Sequence, residues 1–286
     1  MNVAVELVKA FTQNPKMGNP AGVIHEANDL SDGQMRSIAA KLGFSESAFI
    51  QKSSIAAYRL RFFSSRQEVD FCGHATVAAF HSLVSNGHID ISQGPVTVTQ
   101  ETKAGVFPVS CQPDGKIMMA QSQPEFGYIE RNRKLASQLL GLNADDLVDL
   151  PIQVVSTASA KLIIAVKTLA ALRDIQPDLP AITKYSKKRK VWGVYAFTPD
   201  TPRDQLDFCA RFFDPLVGID EDAATGVAAG PLACYAEKYI TKGSKQQFVI
   251  SQGFDMGMNS TIYTDVSNKV VVGGYAALYG KRRLEL

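Results

Sequence analysis

The chain lacks the features that mark the commonest special classes of protein. Only 4 cysteines occur among 286 residues. Cys72, Cys111, Cys209 and Cys234 show neither zinc-knuckle nor dithiol spacing, so free thiols and a reducing compartment are expected. Charge of one sign is also scarce: 30 Lys and Arg against 28 Asp and Glu leave a formal net charge of +2, which gives no global basis for binding nucleic acid. The basic runs Lys184 to Lys190 and Lys281-Arg282-Arg283 read as solvated ends of elements. No apolar run is long enough to cross a bilayer, and the first residues lack the basic-then-apolar pattern of a secretory leader. No membrane partner and a cytoplasmic location are therefore expected. No glycine-rich dinucleotide fingerprint or phosphate loop follows any strand, so no nucleotide cofactor is expected.

What the chain does have is an internal echo. Arg61-Phe62-Phe63 is followed by a short acidic loop and the small-residue helix start Cys72-Gly73-His74-Ala75-Thr76. Arg211-Phe212-Phe213 is followed by Asp222-Ala223-Ala224-Thr225-Gly226-Val227. Two helix N-termini reached in the same way, with unpaired N–H groups and positive dipole ends, would attract a carboxylate or another anion. A two-lobed enzyme acting on a small acid is the reading this suggests.

Hydrophobic residues make up 45% of the chain, enough for the cores of two domains. Many short β-patterned runs with few helices predict a mixed α+β class, without the regular alternation of a doubly wound sheet. Ser31 with Gln34 and Gly43 bound a helix whose stripe is Met35, Ile38, Ala39 and Leu42. The segment from Gly73 to Asn86 has almost no polar face, and such a helix must be buried; a sheet curled around it would do so. Thr225 to Ile240 repeats the theme, with Pro231 set to bend its early turns. Arg133 to Leu140 predicts a peripheral fourth helix. The least patterned stretch, Gln112 to Arg131, marks the boundary between lobes spanning 1–118 and 119–273, with a last strand at 274–286 able to return to the first lobe.

Four residues carry candidate chemistry. Glu46 lies where an apolar strand begins, and partial burial there would raise its carboxyl toward the range of a neutral-pH acid/base; the alternative is a surface glutamate at a strand end. His74, in the first turn of a buried helix, should be neutral and act as a donor or relay, or else be a satisfied core histidine. Asp222 can pair with an imidazole or a substrate ammonium, or cap the second helix. Cys72 beside a helix start is a candidate nucleophile or base, but the second copy offers no partner thiol for a two-thiol racemase, which favours a small buried residue.

The chain closely resembles the PhzF family of phenazine-biosynthesis-like isomerases, which shares its fold with diaminopimelate epimerase. The markers, nearly end to end, are Phe11-Thr12, Gly18-Asn19-Pro20-Ala21-Gly22-Val23, Ser45-Glu46-Ser47-Ala48-Phe49, Cys72-Gly73-His74-Ala75-Thr76, Gly218 to Gly226, Gln252-Gly253 and Val272-Gly273-Gly274. The resemblance implies two similar lobes, each a curved, mostly antiparallel, barrel-like sheet around a central helix. It also implies a proton shift or tautomerisation needing neither cofactor nor metal, and a homodimer. Carried over by position, Glu46 becomes the proton shuttle, with His74 and Asp222 as its catalytic companions. Asn19, Gly73, Thr76, Gly226 and Val227 fall in the substrate-binding segments. The chain departs from the pattern at Ala223 and Val227, where the family often has proline and serine, at Ser64-Ser65, at Met258-Asn259 and at Thr157-Ala158-Ser159. The expected substrate is therefore a small carboxylated cyclic or amino-acid-like metabolite. The alternatives are a single-thiol epimerase using Cys72, and a metabolite-binding protein that has lost catalysis.

Overall fold

In the computed structural model, which describes residues 2–286, the chain divides into two compact units. The first comprises residues 2–120 and 273–286, and the second comprises residues 121–272. The fold class is α+β.

The first unit contains β1 (Asn2–Ala10), β2 (Asn19–Ile24), α1 (Asp32–Leu42), β3 (Ser47–Gln51), β4 (Tyr58–Phe63), β5 (Glu68–Val69), α2 (Gly73–Ser85), β6 (Val96–Thr102), β7 (Gly105–Cys111) and β8 (Ile117–Ala120). Helix α1 starts and stops as its sequence dictates. Ser31 and Gln34 form a reciprocal capping box, and Gly43 closes the helix at φ 69°. Its stripe, Met35, Ile38, Ala39 and Leu42, packs with Val3, Val5, Leu7, Phe49 and Phe63. Full burial of each large aliphatic side chain there stabilises by about 1.5–3 kcal/mol, so an aspartate at Ile38 would undo the contact. Helix α2 is buried on nearly every side and packs against β1, β2, β3, β7, β8 and the C-terminal strand. The sheet thus wraps this helix, as an all-apolar helix requires.

The second unit contains β9 (Glu125–Ile129), α3 (Arg133–Leu140), β10 (Gln153–Ser156), β11 (Lys161–Ala165), α4 (Leu169–Arg173), α5 (Leu179–Arg189), β12 (Val194–Thr198), β13 (Phe208–Asp214), β14 (Ile219–Asp222), α6 (Gly226–Ala236), β15 (Gln247–Gln252) and β16 (Ser260–Asp265). Strand β17 (Val271–Gly274) begins in the second unit and ends in the first. The chain ends with β18 (Ala276–Glu285). Helix α6 packs against β10, β11, β15 and β16 and continues into a wider π-helical turn, Glu237–Thr241. Pro231 lies inside it, depriving the ladder of one N–H.

The two units repeat one topology. In the first, β1–β2 is antiparallel, β2–β3 parallel, β3–β4 antiparallel, β4–β6 parallel and β6–β7 antiparallel. In the second, β10–β11 is antiparallel, β11–β12 parallel, β12–β13 antiparallel, β13–β15 parallel and β15–β16 antiparallel. Each unit then has a short return strand, β5 on β4 and β14 on β13, just before its central helix. In the first unit β1 also pairs along its whole length with β18.

Several local expectations are revised. Helix α3 turns one face, Ala136, Leu139 and Leu140, to the core of the second unit and leaves Lys134 and Gln138 exposed. Strand β9 forms inside the stretch that looked least patterned, held by β10. Helices α4 and α5 join the four helices expected, and the basic run from Lys184 occupies the last turns of α5. Among the described residues no helix is long and apolar enough to cross a membrane.

Candidate active site

In the first unit, the turn after Gly43 delivers Ser45 and Glu46 to the start of β3. The loop after β5 delivers Cys72 to the N-cap of α2, with Gly73 and His74 in its first turn. The side chains meet. His74 Nε2 lies 3.7 Å from Glu46 Oε2 and 3.4 Å from Ser45 Oγ, while His74 Nδ1 lies 3.4 Å from Cys72 Sγ. The Cys72 thiol donates toward Glu46 Oε2 at 3.8 Å.

Burial pushes the His74 imidazole down to about 4, since a charged ring would lose its hydration in the core. It therefore meets Glu46 as a neutral neighbour at physiological pH, not as an ion pair. The Glu46 side chain retains 14% exposure while Cys72 and His74 are buried, so of these three its carboxylate is the group within reach of a small molecule. Asn19 is buried on β2. Thr76, also buried, turns its hydroxyl back to the Cys72 carbonyl at 2.8 Å and to Gln100 Oε1 at 3.4 Å, tying the first turn of α2 together.

In the second unit, Asp222 ends β14 and Thr225 is the N-cap of α6, with Gly226 and Val227 its first residues. The Thr225 hydroxyl donates to Asp222 Oδ2 at 2.6 Å, which fixes that carboxylate. Gln252 organises the turn. Its Oε1 accepts from Thr225 N at 3.2 Å and from the Tyr195 hydroxyl at 3.0 Å, and its Nε2 donates to the Asp222 carbonyl at 2.8 Å. Gln121 Nε2 donates to the Gly226 carbonyl at 3.0 Å. Val227 is half-buried.

A contrast between helices marks these two turns. Ser31, Asn132, Thr168 and Asp178 cap α1, α3, α4 and α5 with side-chain oxygens. Cys72 and Thr225 make no such bond to α2 and α6. The first turns of the two central helices are thus not capped by the side chain of the N-cap residue, the arrangement that favours an anion.

The structure brings Glu46, Gly73 and His74 into one cluster of the first unit, and Asp222, Gly226 and Val227 into one turn of the second. Gln121 and Tyr195 carry no motif in the sequence, and Ser45 stands there only as part of the segment Ser45 to Phe49. Gln252 was legible only as part of a Gln-Gly pair, and its sole local signal is a polar side chain at a buried position of an alternating strand.

The sequence pattern of the PhzC-PhzF family, described as phenazine biosynthesis-like protein, matches residues 8–282. The chain belongs to this family. It is 32% identical over 286 residues to the uncharacterized isomerase YfhB of Bacillus subtilis, covering 96% of each chain. It is 28% identical to the trans-2,3-dihydro-3-hydroxyanthranilate isomerase of Pseudomonas aeruginosa, covering 98% of each. A solved PhzF-family protein of Bacillus anthracis superposes with a TM-score of 0.91 at 27% identity over 100% of both chains. As a PhzF-type protein the chain is an isomerase, with the α+β fold of that family.

Proposed function

We propose that this isomerase moves a proton within a small carboxylated, cyclic or amino-acid-like metabolite, with Glu46 as the shuttle. The observation that carries this is the partly exposed Glu46 carboxylate set against a neutral His74 at the uncapped start of α2. A substrate C–H bond breaks as the proton passes to Glu46, the electron pair shifts through the conjugated system, and the proton returns to a different carbon. The balance needs no oxidant or reductant. Neutral His74 donates to or accepts from the substrate's polar group, and the N–H groups opening α2 stabilise the negative charge that develops. In the second unit the same reading gives Asp222 the task of positioning substrate, and the first N–H groups of α6, at Gly226 and Val227, that of holding its carboxylate. Asn19, Gly73 and Thr76 line or shape the binding segments. Valine at 227 offers no hydroxyl, so the substrate differs in detail from one gripped by a serine there.

The relative from Pseudomonas aeruginosa makes trans-2,3-dihydro-3-hydroxyanthranilate the first compound to try. Proton NMR in deuterated buffer reads both conversion and solvent exchange, with the wild-type chain run beside Glu46→Gln. Exchange that vanishes in the mutant supports the shuttle, and full turnover by Glu46→Gln would sink it. Tight binding without exchange would point instead to a metabolite-binding protein.

A second reading is favoured by the 3.4 Å contact of Cys72 Sγ with His74 Nδ1. A single-thiol epimerase would lose exchange in Cys72→Ala and keep it in Glu46→Gln, the reverse of the main expectation.

A further inference from the structure

Glu46, Cys72 and His74 can also act together as ligands. A carboxylate oxygen, a sulfur and a ring nitrogen, one from each residue, all lie within 4.8 Å of one another. Tetrahedral zinc bonds sulfur at about 2.3 Å and nitrogen or oxygen at about 2.0–2.2 Å, which sets its ligand atoms roughly 3.4–3.6 Å apart. Cys72 Sγ stands 3.4 Å from His74 Nδ1 and 3.8 Å from Glu46 Oε2. Two sides of the triangle are therefore close to the required length before any side chain moves, and the third, between Glu46 and His74, is within 4.8 Å. Ser45 Oγ, 3.4 Å from His74 Nε2, supplies the partner that the second nitrogen of a metal-bound imidazole usually has.

The donor types decide which cation fits. One thiolate, one imidazole and one carboxylate suit zinc or cobalt, whereas magnesium and calcium prefer oxygen alone. Two anionic ligands offset the positive end of α2. Three protein ligands leave a fourth position open, as in zinc sites that exchange water.

We propose that Glu46, Cys72 and His74 form a binding site for a zinc-type divalent cation, and that occupation of it switches the isomerase off. On binding, the Cys72 S–H bond breaks, its proton passes to water and a sulfur–metal bond forms, with no change of oxidation state. The Glu46 oxygen that would take the substrate proton becomes a ligand instead. The switching half rests on the proton-shuttle reading above, while the binding half does not.

Cobalt(II) is the probe for binding, added to the full chain kept reduced by a phosphine. A near-ultraviolet thiolate-to-cobalt charge-transfer band is expected in the wild type, displaced by zinc. It should be absent from Cys72→Ser and retained by Cys111→Ser, Cys209→Ser and Cys234→Ser. Glu46→Gln keeps the thiol and should bind at least about tenfold more weakly. Circular dichroism establishes that each variant is folded. No band in the wild type, or a band surviving in Cys72→Ser, would overturn the site. For the switch, turnover or solvent exchange should fall in parallel with zinc occupancy and recover on chelation. Full turnover by the zinc-loaded chain would overturn it. A wild-type band together with full turnover by metal-free Glu46→Gln would retain the site and discard the shuttle.

Discussion

Arg211 holds Glu221 through two parallel hydrogen bonds, Nε to Oε1 and Nη2 to Oε2, each 2.8 Å long. Arg61 holds Glu68 in the same way, at 2.7 and 2.8 Å. Each arginine lies on the strand before a central helix and each glutamate on the short return strand that follows. The echo read in the sequence is thus a duplicated brace, and it fixes the loop from which each site turn is launched. A planar guanidinium matches a carboxylate at two points, which an ammonium cannot do.

The two braces should not be equally costly to break. Arg211 is 8% exposed and also donates to the carbonyls of Leu172, Arg173 and Ile175 at 3.1, 3.2 and 3.1 Å. Arg61 instead adds Asp32, whose side chain is 66% exposed. Arg211→Lys is expected to lower stability by about 2–3 kcal/mol, and Arg61→Lys by about 1 kcal/mol. Chemical denaturation of the two variants measures the difference, and equal losses would contradict it.

Gln252 is fully buried and serves Tyr195, Asp222 and Thr225 together. Gln252→Leu keeps the volume and strands those partners. A loss of about 1–3 kcal/mol for the unsatisfied groups follows, with reduced substrate affinity because the Asp222 turn is no longer fixed. Unchanged thermal stability would show that water substitutes for the amide.

Gly253 has φ +76°, and a Cβ there would stand 2.5 Å from the Ala223 carbonyl oxygen. Both the left-handed backbone and the close approach exclude a side chain. Gly253→Ala should destabilise by about 1–3 kcal/mol and displace the Ala223 turn. Scanning calorimetry on the variant would detect the loss as a fall in Tm.

Glu6 on β1 supplies the pH prediction. Burial pushes its carboxyl up, but hydrogen bonds from Lys281, Ser82 and Asn86 and the charge of Lys281 outweigh this and hold it at about 2, against an ordinary value of 4.5. His25 lies 3.6 Å away, and His81 also feels its charge. Because the folded value is depressed, the stabilisation is complete above pH 4.5 and is lost as pH falls toward about 2. Melting temperatures of the wild type and Glu6→Gln should differ near neutral pH and converge across that window. A gap that widens on acidification would reverse the sign.

Local signals carried much of the fold. The Ser31–Gln34 box and Gly43 stop act within a few residues, so α1 was legible to its ends. The apolar girth of α2 and α6 required burial on all sides, which the surrounding strands supply. Helix α5 was missed as an element although Asp178 and Pro180 open it in the usual way, because Ile182 and Tyr185 give only a short apolar stripe. Strand β9 has no alternation of its own and exists because β10 pairs with it.

The α+β class, the duplicated strand-loop-helix unit and the places of Glu46, His74 and Asp222 were legible along the chain, since composition, periodicity and motif are properties of neighbouring residues. It took the packed structure to show that Glu46, Cys72 and His74 touch, that Gln252 holds the turn at Asp222, and that among the α-helices of the described residues the two central ones begin without a cap from the N-cap side chain. These depend on which atoms meet when distant segments pack, and side-chain direction across a fold is set by burial and sheet register, not by local preference.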